Sequence, residues 1–133
     1  MSKKAIVTKK APSPIGPYSQ AILAGDMLFI SGQICIDPET GELKNESIRT
    51  ETHQVMKNIL AILNEAEMGF ANIVKTSIFI TDMNRFAEVN EVYGKYFESG
   101  SSGNHLAFPA RETVQVAALP KFVNVEISAI AVK

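Results

Sequence analysis

The residues best suited to chemistry are an arginine and a glutamate near the end of the chain. Arg111 follows Phe108-Pro-Ala, and Pro109 cannot donate a ladder hydrogen bond, so it marks the start of a strand. A guanidinium held at a strand start is a fork that fits a carboxylate or a phosphate. The simpler alternative is a strand-end arginine that reaches into water.

Glu126 lies in the last predicted strand, within Val-Asn-Val-Glu-Ile-Ser-Ala-Ile. If Pro120-Lys121 is a two-residue turn between strands 111–119 and 122–132, then Arg111, Thr113 and Glu126 share one sheet face. Arg111 and Glu126 would lie four residues apart along this hairpin, on the order of 13 Å. A small ligand fits between them, or the two residues belong to different half-sites of an oligomer. The plain alternative for Glu126 is polar-out alternation.

The surrounding pattern predicts the elements that position this pair. Apolar residues at helical spacing predict a helix over 48–68, which Gly69 could end in a left-handed conformation. A second helix follows Asp82 or Asn84. Strands are predicted over 5–8, 18–23, 27–36, 73–81, 111–119 and 122–132. This order predicts one α+β domain spanning 1–133, a mixed sheet with two helices on one face; self-association is then expected to cover the other face.

Composition narrows the class of function. Thirteen basic and fourteen acidic side chains give a net charge of −1, which argues against a nucleic-acid partner bound through a basic surface. The single cysteine, Cys35, has no intramolecular disulfide partner, and we expect a buried or semi-buried thiol. No run of 18 apolar residues predicts a membrane span, and the N-terminus has no signal-peptide core, so we expect a cytoplasmic protein with no membrane partner.

The other candidate residues give weaker signals. Tyr18 follows a segment with three prolines and could hydrogen-bond a ligand, although a half-buried strand tyrosine is commoner. Ser31-Gly32-Gln33 allows close backbone approach, with a β-bulge as the plain alternative. His53 and His105 have no partner at metal-ligand spacing, so no metal site is expected.

Several motifs resemble the Rid (YjgF, reactive-intermediate deaminase) family in its RidA-like branch, and together they cover essentially the whole chain. They are Ala11-Pro-Ser-Pro-Ile-Gly-Pro-Tyr-Ser-Gln20, Ser31-Gly-Gln33, Ile73-Val-Lys-Thr76, Phe86-Ala-Glu-Val-Asn-Glu-Val-Tyr93, Phe108-Pro-Ala-Arg111, Val116-Ala-Ala-Leu-Pro120 and Glu126-Ile-Ser-Ala-Ile-Ala131.

The resemblance implies a chorismate-mutase-like fold, assembled as a homotrimer with sites between subunits. It implies hydrolysis of 2-aminoacrylate, 2-iminopropanoate and 2-iminobutanoate to 2-keto acids and ammonia, without metal or organic cofactor. By motif, Arg111 would clamp the substrate carboxylate and Glu126 would activate water.

The resemblance also assigns the substrate-binding positions. Tyr18 would line the pocket, backbone groups near Ser31 and Gly32 and at Thr113 would hold the substrate, and Asn90 would contribute.

Two features depart from this pattern. Thr113 stands where many members have Cys or Ser, which assigns its role to the backbone N–H. The Ser/Gly-rich loop 98–107 is about four residues longer than in typical relatives, by comparison of the motif spacing. Two alternative functions stay open: a non-catalytic sensor that binds 2-keto acids in the same cleft, and an endoribonuclease that inhibits translation.

Overall fold

Six strands form one mixed sheet in the computed structural model, which describes residues 2–98 and 107–133. The elements are β1 (Lys3–Ile6), β2 (Ala21–Ala24), β3 (Met27–Gln33), α1 (Ile48–Glu65), β4 (Ile73–Ile80), α2 (Phe86–Glu98), β5 (Ala110–Gln115) and β6 (Val125–Val132). The strand order across the sheet is β1-β2-β3-β6-β4-β5. The predicted α+β fold, a mixed sheet with two helices on one face, is confirmed. No helix in these two ranges is long and apolar enough to span a membrane.

Helix α1 begins where its sequence provides a cap. The Ser47 side chain accepts a hydrogen bond from the Thr50 backbone N–H, which satisfies one of the unpaired donors of the first turn. The predicted role of Gly69 at the other end is wrong, because Gly69 has φ −140°. The left-handed position falls on Glu67, with φ 60°, directly after the last helical turn.

Helix α2 is the crossover between two parallel strands. Asp82 caps a short 3-10 turn by accepting a hydrogen bond from the Asn84 N–H at 2.9 Å, and α2 follows at Phe86. The chain then returns as β5 beside β4, with Thr76 opposite Arg111 and Ile78 opposite Thr113. A strand, a helix and a parallel strand in this order form a βαβ unit.

The predicted terminal hairpin is wrong. Strand β6 pairs with β3 and β4, and β4 separates it from β5. The segment between β5 and β6 contains a 3-10 turn, Pro120–Phe122, rather than a two-residue hairpin turn. The residues predicted for these two strands are close to those observed. The two strands do not pair with each other, because β4 lies between them.

The two faces of the sheet have different surroundings. The face under the helices contributes Thr76, Ile78 and Ile127 to the buried interior, with exposed fractions of 1% or less. On the opposite face Phe29 is 41% exposed and Val114 is 43% exposed. This open face is the one that self-association would cover.

Candidate functional site

Glu126 projects from β6 on the open face, because it pairs with Phe79 and alternates with buried Val125 and Ile127. Its carboxylate lies against Gly32, where β3 bulges between Ile30 and Gln33. A methyl group at Gly32 would be only 2.5 Å from Glu126 Oε2. The bulge and the close backbone approach are therefore both present, and they bring the chain of Gly32 to the carboxylate.

The Glu126 carboxylate borders a cleft of about 300 Å³. Its lining residues are Pro12, Ser13, Ile15, Tyr18, Gln20, Ser31, Gly32, Gln33, Ile34, Ile36, Pro120 and Glu126. Burial raises the pKa of Glu126 above its ordinary value, since the charged form loses hydration there. A carboxylate with a raised pKa is a stronger base for protons from water than an exposed one.

The wall that carries Tyr18 is held by Gln20, a residue that the sequence analysis missed. The buried Gln20 Nε2 donates to the carbonyl oxygens of Thr8, Ala11 and Pro12 at 3.0, 3.2 and 2.9 Å. Its Oε1 accepts from the Thr8 N–H at 2.8 Å. Proline has no N–H, so the carbonyl groups of this proline-rich segment lack backbone donors nearby. That shortage is the sequence feature that could have indicated a buried side-chain amide such as Gln20.

Tyr18 and Ser31 both line the Glu126 cleft, but their polar groups already have partners. The Tyr18 hydroxyl accepts from the Ile15 N–H at 3.3 Å, while its side chain stays half-exposed. The Ser31 hydroxyl donates to the Ser19 carbonyl at 2.6 Å, and its N–H donates to the Gln20 carbonyl at 3.0 Å. Ser31 therefore fixes the cleft wall. Its N–H and its hydroxyl hydrogen are both used within the protein, so towards a ligand the hydroxyl can only accept.

Glu51, which the sequence analysis also missed, holds the chain just before β6. Glu51 is fully buried on α1, and its carboxylate accepts from the N–H and the side-chain amide of Asn124. These two bonds fix Asn124, which lies four residues after the cleft residue Pro120. Cys35 is buried beside Glu51, as expected of the thiol, and its pKa rises to about 12 through burial and the charge of Glu51.

Arg111 lies at a second cleft, of about 520 Å³, on the helix side of the sheet edge. Its Nη1 donates to Asn90 Oδ1 at 2.8 Å, so the predicted site residue Asn90 contacts the arginine directly. The guanidinium carbon lies 5.3 Å from the ring centres of both Phe86 and Tyr93. One face of the fork is thus supported by α2, and the remaining N–H groups can bind an anion.

Thr113 lies on the same face as Arg111, opposite Ile78. Its hydroxyl is buried and has no hydrogen-bond partner among residues 2–98 and 107–133. The Val116 N–H donates to Ile80 in β4, and backbone N–H groups alternate along a strand, so the Thr113 N–H points to the outer edge of the sheet. That orientation agrees with a main-chain role for Thr113.

Arg111 and Glu126 do not share a face, contrary to the hairpin geometry. Arg111 is level with Thr76 and Ala129 under the helices, whereas Glu126 is level with Phe79 on the open face. Their strands are two positions apart across the sheet, and the two residues are three residues apart along the strands. Each of these separations is about 10 Å. Within one chain they therefore lie at two separate clefts.

Residues 99–106 of the predicted long loop, including His105, lie outside the described residues. In the parts of the chain that are described, no three His, Cys, Asp or Glu side chains form a metal-binding group. His53 lies on α1, where its Nδ1 is 2.9 Å from the Tyr96 hydroxyl, and it lines neither cleft.

Comparison with known proteins identifies the family. The model of the family described as endoribonuclease L-PSP matches residues 8–133. The chain is 48% identical over 133 residues to a RutC family protein of Pyrococcus abyssi, covering 100% of this chain and 99% of that protein. It is 45% identical over 131 residues to human 2-iminobutanoate/2-iminopropanoate deaminase, covering 98% and 90% of the two chains.

Two solved structures from Escherichia coli have the same fold. The YjgF gene product and TdcF with bound serine each match with a TM-score of 0.90 at 43% identity, covering 98% of this chain and 98% of theirs. The chain therefore belongs to the Rid (YjgF) family, whose model is described as endoribonuclease L-PSP, as its motifs predicted.

Proposed function

We propose that this protein hydrolyses small 2-imino acids, such as 2-iminopropanoate and 2-iminobutanoate, to 2-keto acids and ammonia. The observation that carries the proposal is the chemistry of the two half-sites. One offers a carboxylate of raised pKa in a small cleft, and the other offers an arginine fork with free N–H groups. The human relative named as such a deaminase supports the reaction class.

The substrate is an anion with an electrophilic carbon next to its carboxylate, and the two half-sites match these two features. Arg111 binds the carboxylate through paired hydrogen bonds, which fixes the position of the imine carbon. The outward-pointing N–H of Thr113 binds the same end of the substrate. Tyr18 and the apolar wall of the Glu126 cleft then surround the substrate side chain.

Glu126 supplies the proton transfers. Its carboxylate removes a proton from water while the water oxygen bonds to the imine carbon, and the C=N electron pair moves to nitrogen. Protonated Glu126 gives this proton to the nitrogen, which yields a tetrahedral amino alcohol. The Glu126 carboxylate then removes the proton of the hydroxyl group and passes it to nitrogen as the C–N bond breaks, so the oxygen becomes the keto oxygen and ammonia leaves. The balance is imine plus water to keto acid plus ammonia, and no electrons are gained or lost.

The complete site is proposed to form between chains of a homotrimer. Arg111 of one chain and Glu126 of its neighbour then face one ligand, which a single chain does not allow because the two lie on opposite faces. The exposed apolar side chains Phe29 and Val114 on the open face supply the contact surface.

A coupled assay tests the proposal. A serine or threonine dehydratase releases the imine, and the decay of the imine is followed with and without the purified protein. We expect the protein to accelerate imine decay above the uncatalysed rate. Arg111→Ala should lose both 2-ketobutyrate affinity and turnover, and Glu126→Gln should keep affinity while turnover falls by about 10²–10⁴. Arg49→Ala changes a partly exposed arginine and Glu39→Gln changes an exposed glutamate. Neither residue lines a cleft, and both variants should behave as the unmodified protein does.

Other outcomes would contradict the proposal. Tight keto-acid binding without any acceleration of imine decay would favour a sensor. An RNA-cleaving activity that co-purifies with the protein and is lost in Arg111→Ala would favour an endoribonuclease.

A further inference from the structure

Arg111 is exposed, yet its guanidinium has three partners on α2. Besides the hydrogen bond to Asn90, it lies over the rings of Phe86 and Tyr93, each 5.3 Å from the guanidinium carbon. Both distances are inside the range at which a cation and an aromatic face attract each other. An exposed arginine otherwise samples many rotamers, and a ligand must then supply the cost of fixing it.

Tyr93 is the more rigid of these two rings. It is 4% exposed, and its ring centre lies 4.9 Å from that of Phe97. Its hydroxyl shares a buried hydrogen bond of 2.7 Å with Thr76 Oγ1. Rotation of the ring away from the arginine would break this bond and leave two buried hydroxyls without partners.

The position of Thr76 links this bond to the arginine. Thr76 is the residue of β4 directly opposite Arg111 of β5. The tyrosine ring is therefore anchored to the strand position adjacent to the arginine, so ring and guanidinium share one rigid frame. The positive charge of Arg111 also acts to lower the pKa of Tyr93, against the larger effect of burial, which agrees with their proximity.

We propose that Tyr93, anchored by Thr76, is a positioning residue that holds the Arg111 fork ready for a ligand carboxylate before the ligand arrives. This rests on the proposed function, in which Arg111 is the carboxylate clamp. The ring sets affinity for the anion and leaves the proton transfers at Glu126 unaffected. Tyr93 is thereby distinguished from an ordinary core aromatic, whose loss would lower stability without a selective effect on binding.

Tyr93→Leu and Tyr93→Phe separate these roles. Leucine removes the aromatic face, and we expect the 2-ketobutyrate dissociation constant and the KM for imine to rise about 5-fold while kcat stays within about 2-fold. Phenylalanine keeps the face but loses the bond to Thr76, so its dissociation constant should lie between those of the unmodified protein and Tyr93→Leu. Tyr96→Leu is the matched control on the same helix, since Tyr96 contacts His53 and Phe70 rather than Arg111, and it should leave the dissociation constant unchanged.

The double variant Tyr93→Phe with Thr76→Val removes both hydroxyls, so neither is left without its partner. It serves as the second test where Tyr93→Leu does not fold. Its dissociation constant should rise by about 2-fold or more, because the ring has lost its anchor; an unchanged value would contradict the role of Thr76.

Arg111→Lys removes the planar fork, and in this background Tyr93→Leu should have less than half of its original effect on binding. An equal effect in both backgrounds would show that Tyr93 acts independently of the arginine and overturn the inference. If Arg111→Ala itself leaves affinity unchanged, the clamp of the proposed function fails. If Arg111→Ala abolishes binding while Tyr93→Leu does nothing, only the positioning role fails.

Discussion

Substitution of Gly32 by alanine tests how closely the carboxylate of Glu126, the proposed general base, depends on the β-bulge. The alanine methyl group would lie 2.5 Å from Glu126 Oε2 and 2.7 Å from Cδ, whereas ordinary van der Waals contact begins at 3.4 Å. The carboxylate must therefore move by about 1 Å, which is enough to cost a reaction on the order of 10²-fold when geometry decides the rate.

The same substitution should leave the fold intact. The atoms nearest to the new methyl group belong to the far end of a flexible side chain, which can swing aside. No left-handed conformation is required at Gly32, so alanine also restricts the unfolded chain, a gain of about 0.4–1 kcal/mol. We therefore expect the free energy of unfolding to change by less than about 1 kcal/mol.

The dehydratase-coupled assay and calorimetric titration measure the two sides of this prediction. In Gly32→Ala, kcat should fall about 10²-fold and the 2-ketobutyrate dissociation constant should change by less than about 3-fold. Gly69→Ala is the matched control, because nothing lies within 4 Å of its added methyl group, and its activity should be unchanged. Full turnover in a folded Gly32→Ala protein would refute the dependence of catalysis on the position of Glu126.

Three further predictions concern other parts of the site. Glu126 must be ionised to act as a base, and burial raises its pKa, so kcat/KM should rise with pH through a pKa above 4.5 and then level off. This rise should be absent in Glu126→Gln, and a rise that persists in that variant would show that another group is titrating. Thr113→Ala should keep most activity, since it keeps the N–H and removes a buried hydroxyl without a partner in the described ranges; a loss above about 100-fold would show that the hydroxyl itself works. Gln20→Leu should lower the free energy of unfolding in urea by about 2–4 kcal/mol and raise KM, because the carbonyl groups near Pro12 lose their donor; unchanged stability would refute its structural role.

Local sequence signals predicted the helices and strands, and the family resemblance supplied candidate residues that line the two clefts, whereas the placement of Arg111 and Glu126 on one face was wrong. Helical periodicity identified α1 and α2, and the small residues at Ser31 and Gly32 marked the bulge that contacts Glu126. The position of the left-handed residue was missed because Glu67 takes it despite having a side chain. Such choices depend on packing beyond the helix end, which a single sequence does not display.

The pairing of the last two strands was wrong for a physical reason. A short turn between neighbouring strands favours a hairpin, but β4, α2 and β5 form a βαβ unit in which right-handed crossover favours parallel pairing of β5 with β4. That signal was present in the element order. Its consequence is that Arg111 lies on the helix side of the sheet and Glu126 on the open face, so the proposed shared site requires two neighbouring chains.

Mixing two inactive variants shows whether the proposed site is shared between neighbouring chains. Arg111→Ala chains keep Glu126, and Glu126→Gln chains keep Arg111. Co-expressed in equal amounts, they should form mixed oligomers in which about a quarter of the sites have both residues intact, so about a quarter of the unmodified activity should return. A mixture as inactive as its two parents, with mixed oligomers verified by native mass spectrometry, would contradict the account.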